Sequence, residues 1–138
     1  MKTSALIEHV RDQINATTLT DVVNELDAIR IVIGHQRHKR GNRAGNLLAG
    51  GSKRAEDHIG CPDEHQIEVE LLVFYADNPA AYLKALDDAT AIAEVLHDLS
   101  GTHADIRDAE VELGTIEQSD ENEFVSSRSL VITYIRSN

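Results

Sequence analysis

Residues 66–76 read QIEVELLVFYA. Ile67, Val69, Leu71 and Val73 alternate with Glu68, Glu70, Leu72 and Phe74, a period of two that predicts a β-strand. Its first half is acidic on one face. Its second half, through Leu72 and Phe74, is apolar on both. Asp77-Asn78-Pro79 follows as a turn that starts a helix, with Asn78 as N-cap and Pro79 at the first helical position. Residues 80–99 continue as the longest predicted helix, with Tyr82, Leu86, Ala89, Ala93 and Leu96 as its expected core stripe, Ile92 and Leu99 on the flank, and Gly101 as the stop.

On the N-terminal side, Thr3 or Ser4 can cap a short helix whose Leu6, Val10 and Ile14 recur at spacing four. Val22, Val23 and Leu26 suit one further turn after Thr20. Residues 28–34, AIRIVIG, are β-branched and short, which predicts a strand with Ile29, Ile31 and Ile33 on one side. On the C-terminal side, residues 106–118 predict a third strand and residues 124–136 a fourth, joined by a polar turn at 119–123. The expected order is α-β-β-α-β-β: an α+β domain with a four-stranded, mainly antiparallel sheet and two main helices on one face. The first two strands are expected to pair, with residues 35–65 as a long, glycine-rich, flexible basic loop between them. Strands apolar on both faces fit either burial beyond one copy of the chain or ordinary heterogeneity of the core.

The chain has 138 residues and a formal net charge of −11, enough length for a single domain with one core. At this size about two-thirds of the unfolded chain's surface can be buried. Two Phe, three Tyr and no Trp make that core aliphatic. One cysteine, Cys61, excludes an internal disulfide scaffold and suits a reducing cytoplasm. No apolar run reaches membrane-spanning length, and the first ten residues lack a signal-peptide core. An acidic chain is a poor non-specific nucleic-acid binder.

The charge is nevertheless divided. Seven of the 13 basic residues fall within residues 28–55, which contain no acid, leaving six bases against all 24 acids elsewhere. A +7 segment therefore sits in a body of −18. Its long-loop members, Arg37, Lys39, Arg40, Arg43, Lys53 and Arg54, are candidates for contact with phosphate, with other protein subunits, or with solvent alone. A neighbouring copy of this acidic chain is the favoured partner, because complementary patches placed head to tail generate rings.

The same loop carries residues of other chemistry. His35, His38, His58, Cys61 and His65 have residue types and spacings able to reach one zinc ion. Cys61 with His58 or His65 also has the composition of a thiol nucleophile and base, but no orienting group or oxyanion motif accompanies it. Acidic pairs such as Asp87–Asp88 and Glu110/Glu112 read as solvent faces. GxGxxG and the Walker phosphate loop are absent. No catalytic residue and no cofactor is assigned.

The helix over 4–14, the strand AIRIVIG, the long loop, the strand QIEVELLVFYA, the helix led by Asn78-Pro79 and the final hairpin ending SLVITYIR together resemble the tail terminator (tail completion) proteins of long-tailed bacteriophages. The resemblance spans almost the whole chain. It implies a non-enzymatic virion protein, assembled in the host cytoplasm and located in the tail and neck. Such a protein forms a homohexameric ring on the head-proximal end of the tail tube, stops tube polymerisation and presents a surface to the head-completion protein. The loop over 37–54 would then touch a neighbouring subunit, the tube, or DNA in the channel. Three alternatives stand beside it: a head-completion or connector protein of the neck, a small metal-dependent enzyme using the His/Cys loop, and a nucleic-acid-binding module using the basic loop.

Overall fold

The computed structural model describes residues 1–36, 41–54, 63–120 and 122–137. The chain is α+β. Helix α1 (Thr3–Asn15) buries Leu6, Ile7, Val10 and Ile14. The Thr3 hydroxyl does not cap it but pairs with the Tyr134 hydroxyl at 2.7 Å, so the helix begins after Lys2 without a side-chain cap. Helix α2 (Pro79–His97) starts as its sequence predicts, with the Ala81 N–H donating to Asn78 Oδ1 at 2.9 Å. Residues Glu25–Asp27 make one 3-10 turn closed by a reciprocal Asn24–Asp27 capping box.

Seven strands form one mixed sheet: β1 (Arg30–Ile33), β2 (Ala44–Ala49), β3 (Lys53–Arg54), β4 (Glu64–Ala76), β5 (Ile106–Val111), β6 (Thr115–Asp120) and β7 (Glu123–Ile135). Its spine is the antiparallel β4–β7 ladder, which runs from Glu64↔Ile135 to Ala76↔Glu123. Strands β2 and β3 line the outer side of β4, and β5 and β6 line the outer side of β7. Strand β1 closes the sheet beyond β2, giving the order β1-β2-β4-β7-β5.

Both helices cover one face. Against them pack Ile67, Val69, Leu71, Val73 and Tyr75 of β4, and Leu130, Ile132 and Tyr134 of β7. Cross-strand partners share a face in an antiparallel ladder. Leu72, Phe74, Val125 and Val131 therefore lie on the other face with Leu48, and there they stay partly exposed.

Three expectations require correction. The sheet is not four antiparallel strands: residues 44–49 insert between the two predicted N-terminal strands, so β1 runs parallel to β2 and does not pair with β4. AGNLLA was hidden because Gly, Asn and Ala have low strand propensity. Second, the strand predicted over 106–118 breaks into β5 and β6 around Glu112, Leu113 and Gly114. Third, α2 is rotated from its predicted orientation. It buries Ala85, Asp88, Ile92 and Leu96 and leaves Tyr82, Leu83 and Leu86 exposed.

Candidate functional site

Arg43 explains that rotation. It enters β2 on the helix side of the sheet and is fully buried, as is its partner Asp88. Its Nε donates to Asp88 Oδ2 at 2.7 Å and its Nη2 to Asp88 Oδ1 at 2.9 Å, a bidentate fork. The remaining donors reach back to the segment between α1 and β1. Nη1 donates to the Asp27 carbonyl at 2.9 Å and Nη2 to the Thr20 carbonyl at 2.6 Å. The Tyr75 hydroxyl donates to Asp88 Oδ2 at 2.8 Å. Burial, reinforced by the adjacent carboxylate, raises the Tyr75 phenol's pKa far above its usual range, so it stays a donor.

Asn42 extends the network, donating to Asp27 Oδ1 at 2.7 Å, while the Val23 and Asn24 N–H groups donate to Asp27 Oδ2. The Asn42 bond, followed by that from Val23, holds the Asp27 carboxyl below its ordinary pKa. This hub ties α2, β2, β4 and the residues before β1 into one unit.

Arg43 is therefore no part of an exposed basic surface, correcting its assignment to the interaction loop. Lys53 and Arg54 are exposed, on the short edge strand β3. Arg37, Lys39 and Arg40 lie outside the described residues, as do His38, His58 and Cys61. Of the two described histidines in the zinc set, His35 lines a hollow with Asn46, Leu48, Leu72 and Phe74. His65 stands at the far end of β4, beside the Tyr134 ring, with its Nδ1 buried and without a hydrogen-bond partner among the described residues. Among the described residues no three His, Cys, Asp or Glu side chains converge as metal ligands.

A cleft of about 430 Å³ opens at the start of α2. Asn42, Asn78, Asn122 and Lys84 supply polar groups, and Phe74 and Tyr75 supply its apolar wall. Among the described residues lining it there is no Ser, Cys or His to act as a nucleophile or imidazole base. Lys84 and Glu123 are the charged side chains among the described residues of its lining.

A further surface feature is the sheet face turned away from the helices. Leu48, Leu72, Phe74, Val125 and Val131 form its apolar part, bordered by Glu68, Glu70, Ser127 and Ser129. No protein-family model and no curated protein matches the chain.

The Arg43–Asp88 pair was missed in the sequence, although one signal was present. Ala85, Asp88, Ile92 and Leu96 recur at helical spacing, and an acid inside such a stripe marks a buried partner. No helix among the described residues is long and apolar enough to cross a membrane.

Proposed function

We propose that this chain is a structural assembly subunit, a tail terminator that forms a ring on the head-proximal end of a phage tail tube. The carrying observation is the apolar character of the sheet face turned away from the helices. Two helices bury one side of the sheet, while Leu48, Leu72, Phe74, Val125 and Val131 on the other side remain partly exposed. An apolar cluster such as that of Leu72, Phe74 and Val125 on a small domain is suited to contact with protein. The element order around β4 and α2 supports the resemblance that suggested this role. In this reading the protein is not an enzyme and needs no cofactor. Its partners are further copies of itself, the tube protein and the head-completion protein, and its place is the virion.

The test is to add the purified chain to polymerising tail-tube subunits and image the products by electron microscopy. Short tubes bearing a ring of the chain at one end are expected. Tubes that elongate unchanged, with bare ends, would overturn the terminator role. Binding to the capsid portal complex with no effect on tubes would instead assign the chain to the neck.

A further inference from the structure

The two edges of the sheet are opposites. The β5–β6 edge exposes Asp108, Glu110, Glu112, Glu117 and Asp120, relieved only by Arg107 among the exposed charged residues of that edge. The β1–β3 edge exposes Arg30, Lys53 and Arg54. Each edge also has an apolar element. Leu113, between β5 and β6, is 95% exposed. It is held out rigidly: Arg128 Nη1 donates to the Glu112 carbonyl at 2.9 Å, the Glu112 N–H donates to the Ser129 carbonyl, and at Gly114 a Cβ would stand 2.9 Å from the Ser127 carbonyl oxygen. On the opposite edge, Ile7 of α1 with Ile33, Leu47, Leu48 and Ala49 lines a groove of about 400 Å³. Glu8 is the one acid among the described residues of that groove.

The strand registers put these features in matching rows. Glu117 pairs with Val125, Val125 with Phe74, Phe74 with Ala44, and Ala44 with Arg30. Leu113 lies level with Arg128, which pairs with Leu71, then Leu47, then Ile33 in the groove. Asp108 pairs with Thr133, Thr133 with Gln66, and Gln66 with Lys53. Moving one sheet sideways by the five-strand width of the first two rows therefore brings acid onto base and leucine onto groove, while the third row, one strand narrower, keeps its acid and its base on the same two edges.

We propose that the chain self-associates head to tail, with the β5–β6 edge of one copy on the β1–β3 edge of the next. Leu113 enters the groove, Glu117 faces Arg30, and Asp108 lies on the edge turned towards that of Lys53. The contact is made by side chains, because the Asn15 side chain already occupies the outward N–H and carbonyl of Ile31 and blocks strand addition there. A contact between two different surfaces leaves each copy with one free end, so it propagates into a ring or a filament. The inference rests on the self-association in the reading above and does not need its phage context.

The test uses two variants at exposed positions, Leu113→Asp and Ala49→Glu, with mass measured by light scattering and sedimentation. Wild type is expected to form oligomers. Each variant alone is expected to lose them, with self-affinity weakened at least roughly tenfold. An equimolar mixture is expected to recover a capped dimer near twice the 15.2 kDa chain mass, since each variant retains the surface that the other lacks. A second pair reads the register: Glu117→Lys and Arg30→Glu each weaken association, and the doubly substituted chain regains it. A monomeric wild type, variants that keep wild-type mass, or a mixture that stays monomeric would each overturn the inference. Oligomers that survive both variants yet still cap tubes would discard these edges and leave the terminator reading intact. Edge-dependent oligomers that cap nothing would do the reverse.

Discussion

Arg43 and Asp88 show how one residue pair sets the orientation of a helix. Both are buried, and all of their charge is met inside the chain. Such a pair is a weak net stabiliser, but removing one member strands the other in a low-dielectric interior. Arg43→Met is therefore expected to destabilise the fold by about 3–5 kcal/mol. Tyr75→Phe removes one donor to Asp88 and is expected to lose about 1–3 kcal/mol. Urea titration of both variants checks the ranking. Gly45 is constrained in a different way. A Cβ there would lie 1.8 Å from the Leu72 carbonyl oxygen, a backbone atom held in the β2–β4 ladder. Gly45→Ala is expected to lower stability by at least about 3 kcal/mol, beyond ordinary overpacking, with loss of soluble protein as the simplest readout.

At the scale of elements, β1 depends on a side chain from the helix before it. Asn15 Nδ2 donates to the Ile31 carbonyl at 3.1 Å, and the Ile31 N–H donates to Asn15 Oδ1 at 2.8 Å. The amide thus acts as a one-residue strand partner. Asn15→Ala is expected to cost about 1–2 kcal/mol in thermal unfolding and to raise light scattering, because the edge is then open to pairing.

The middle of α1 carries a pH-sensitive contact. The Thr102 hydroxyl donates to the Leu99 carbonyl at 2.6 Å and so accepts from His9 Nε2, 2.8 Å away. The His103 ring lies 5.6 Å from that of His9. Burial, and then the neighbouring His103, lower the His9 pKa below its ordinary 6.5, with Asp12 opposing. Below that pH the unfolded chain binds the proton more readily than the folded one. The stability contributed by neutral His9 is thus present above pH 6.5 and is lost as pH falls through the lowered value. His9→Gln is expected to flatten melting temperature against pH in that window, as a pair of thermal scans at several pH values would read.

At the scale of the whole molecule, the edge-to-edge contact links association to stability. A ligand that binds only the folded state raises the melting temperature, and here that ligand is the next copy of the chain. The melting temperature of wild type is expected to rise with protein concentration and to rise less at high salt, where the flanking charge pairs are screened. Leu113→Asp is expected to melt at one temperature over the same range. Differential scanning calorimetry across a concentration series checks both.

Much of this architecture was legible before folding was considered. The alternation from Ile67 to Phe74, the Asn78-Pro79 start of α2 and the final hairpin are local signals, because propensity and periodicity act over a few neighbouring residues. The division of charge was equally plain, as it needs only counting. What the chain could not disclose locally was partnership. Strand β2 exists because Gly45 permits close approach to β4 and because Arg43 finds Asp88 across 45 positions of sequence. The face that α2 buries follows from the same pair, against the hydrophobic pattern of Tyr82 and Leu86. The rows that align Glu117 with Arg30 and Asp108 with Lys53 come from the registers of seven paired strands, a long-range property that no local periodicity encodes.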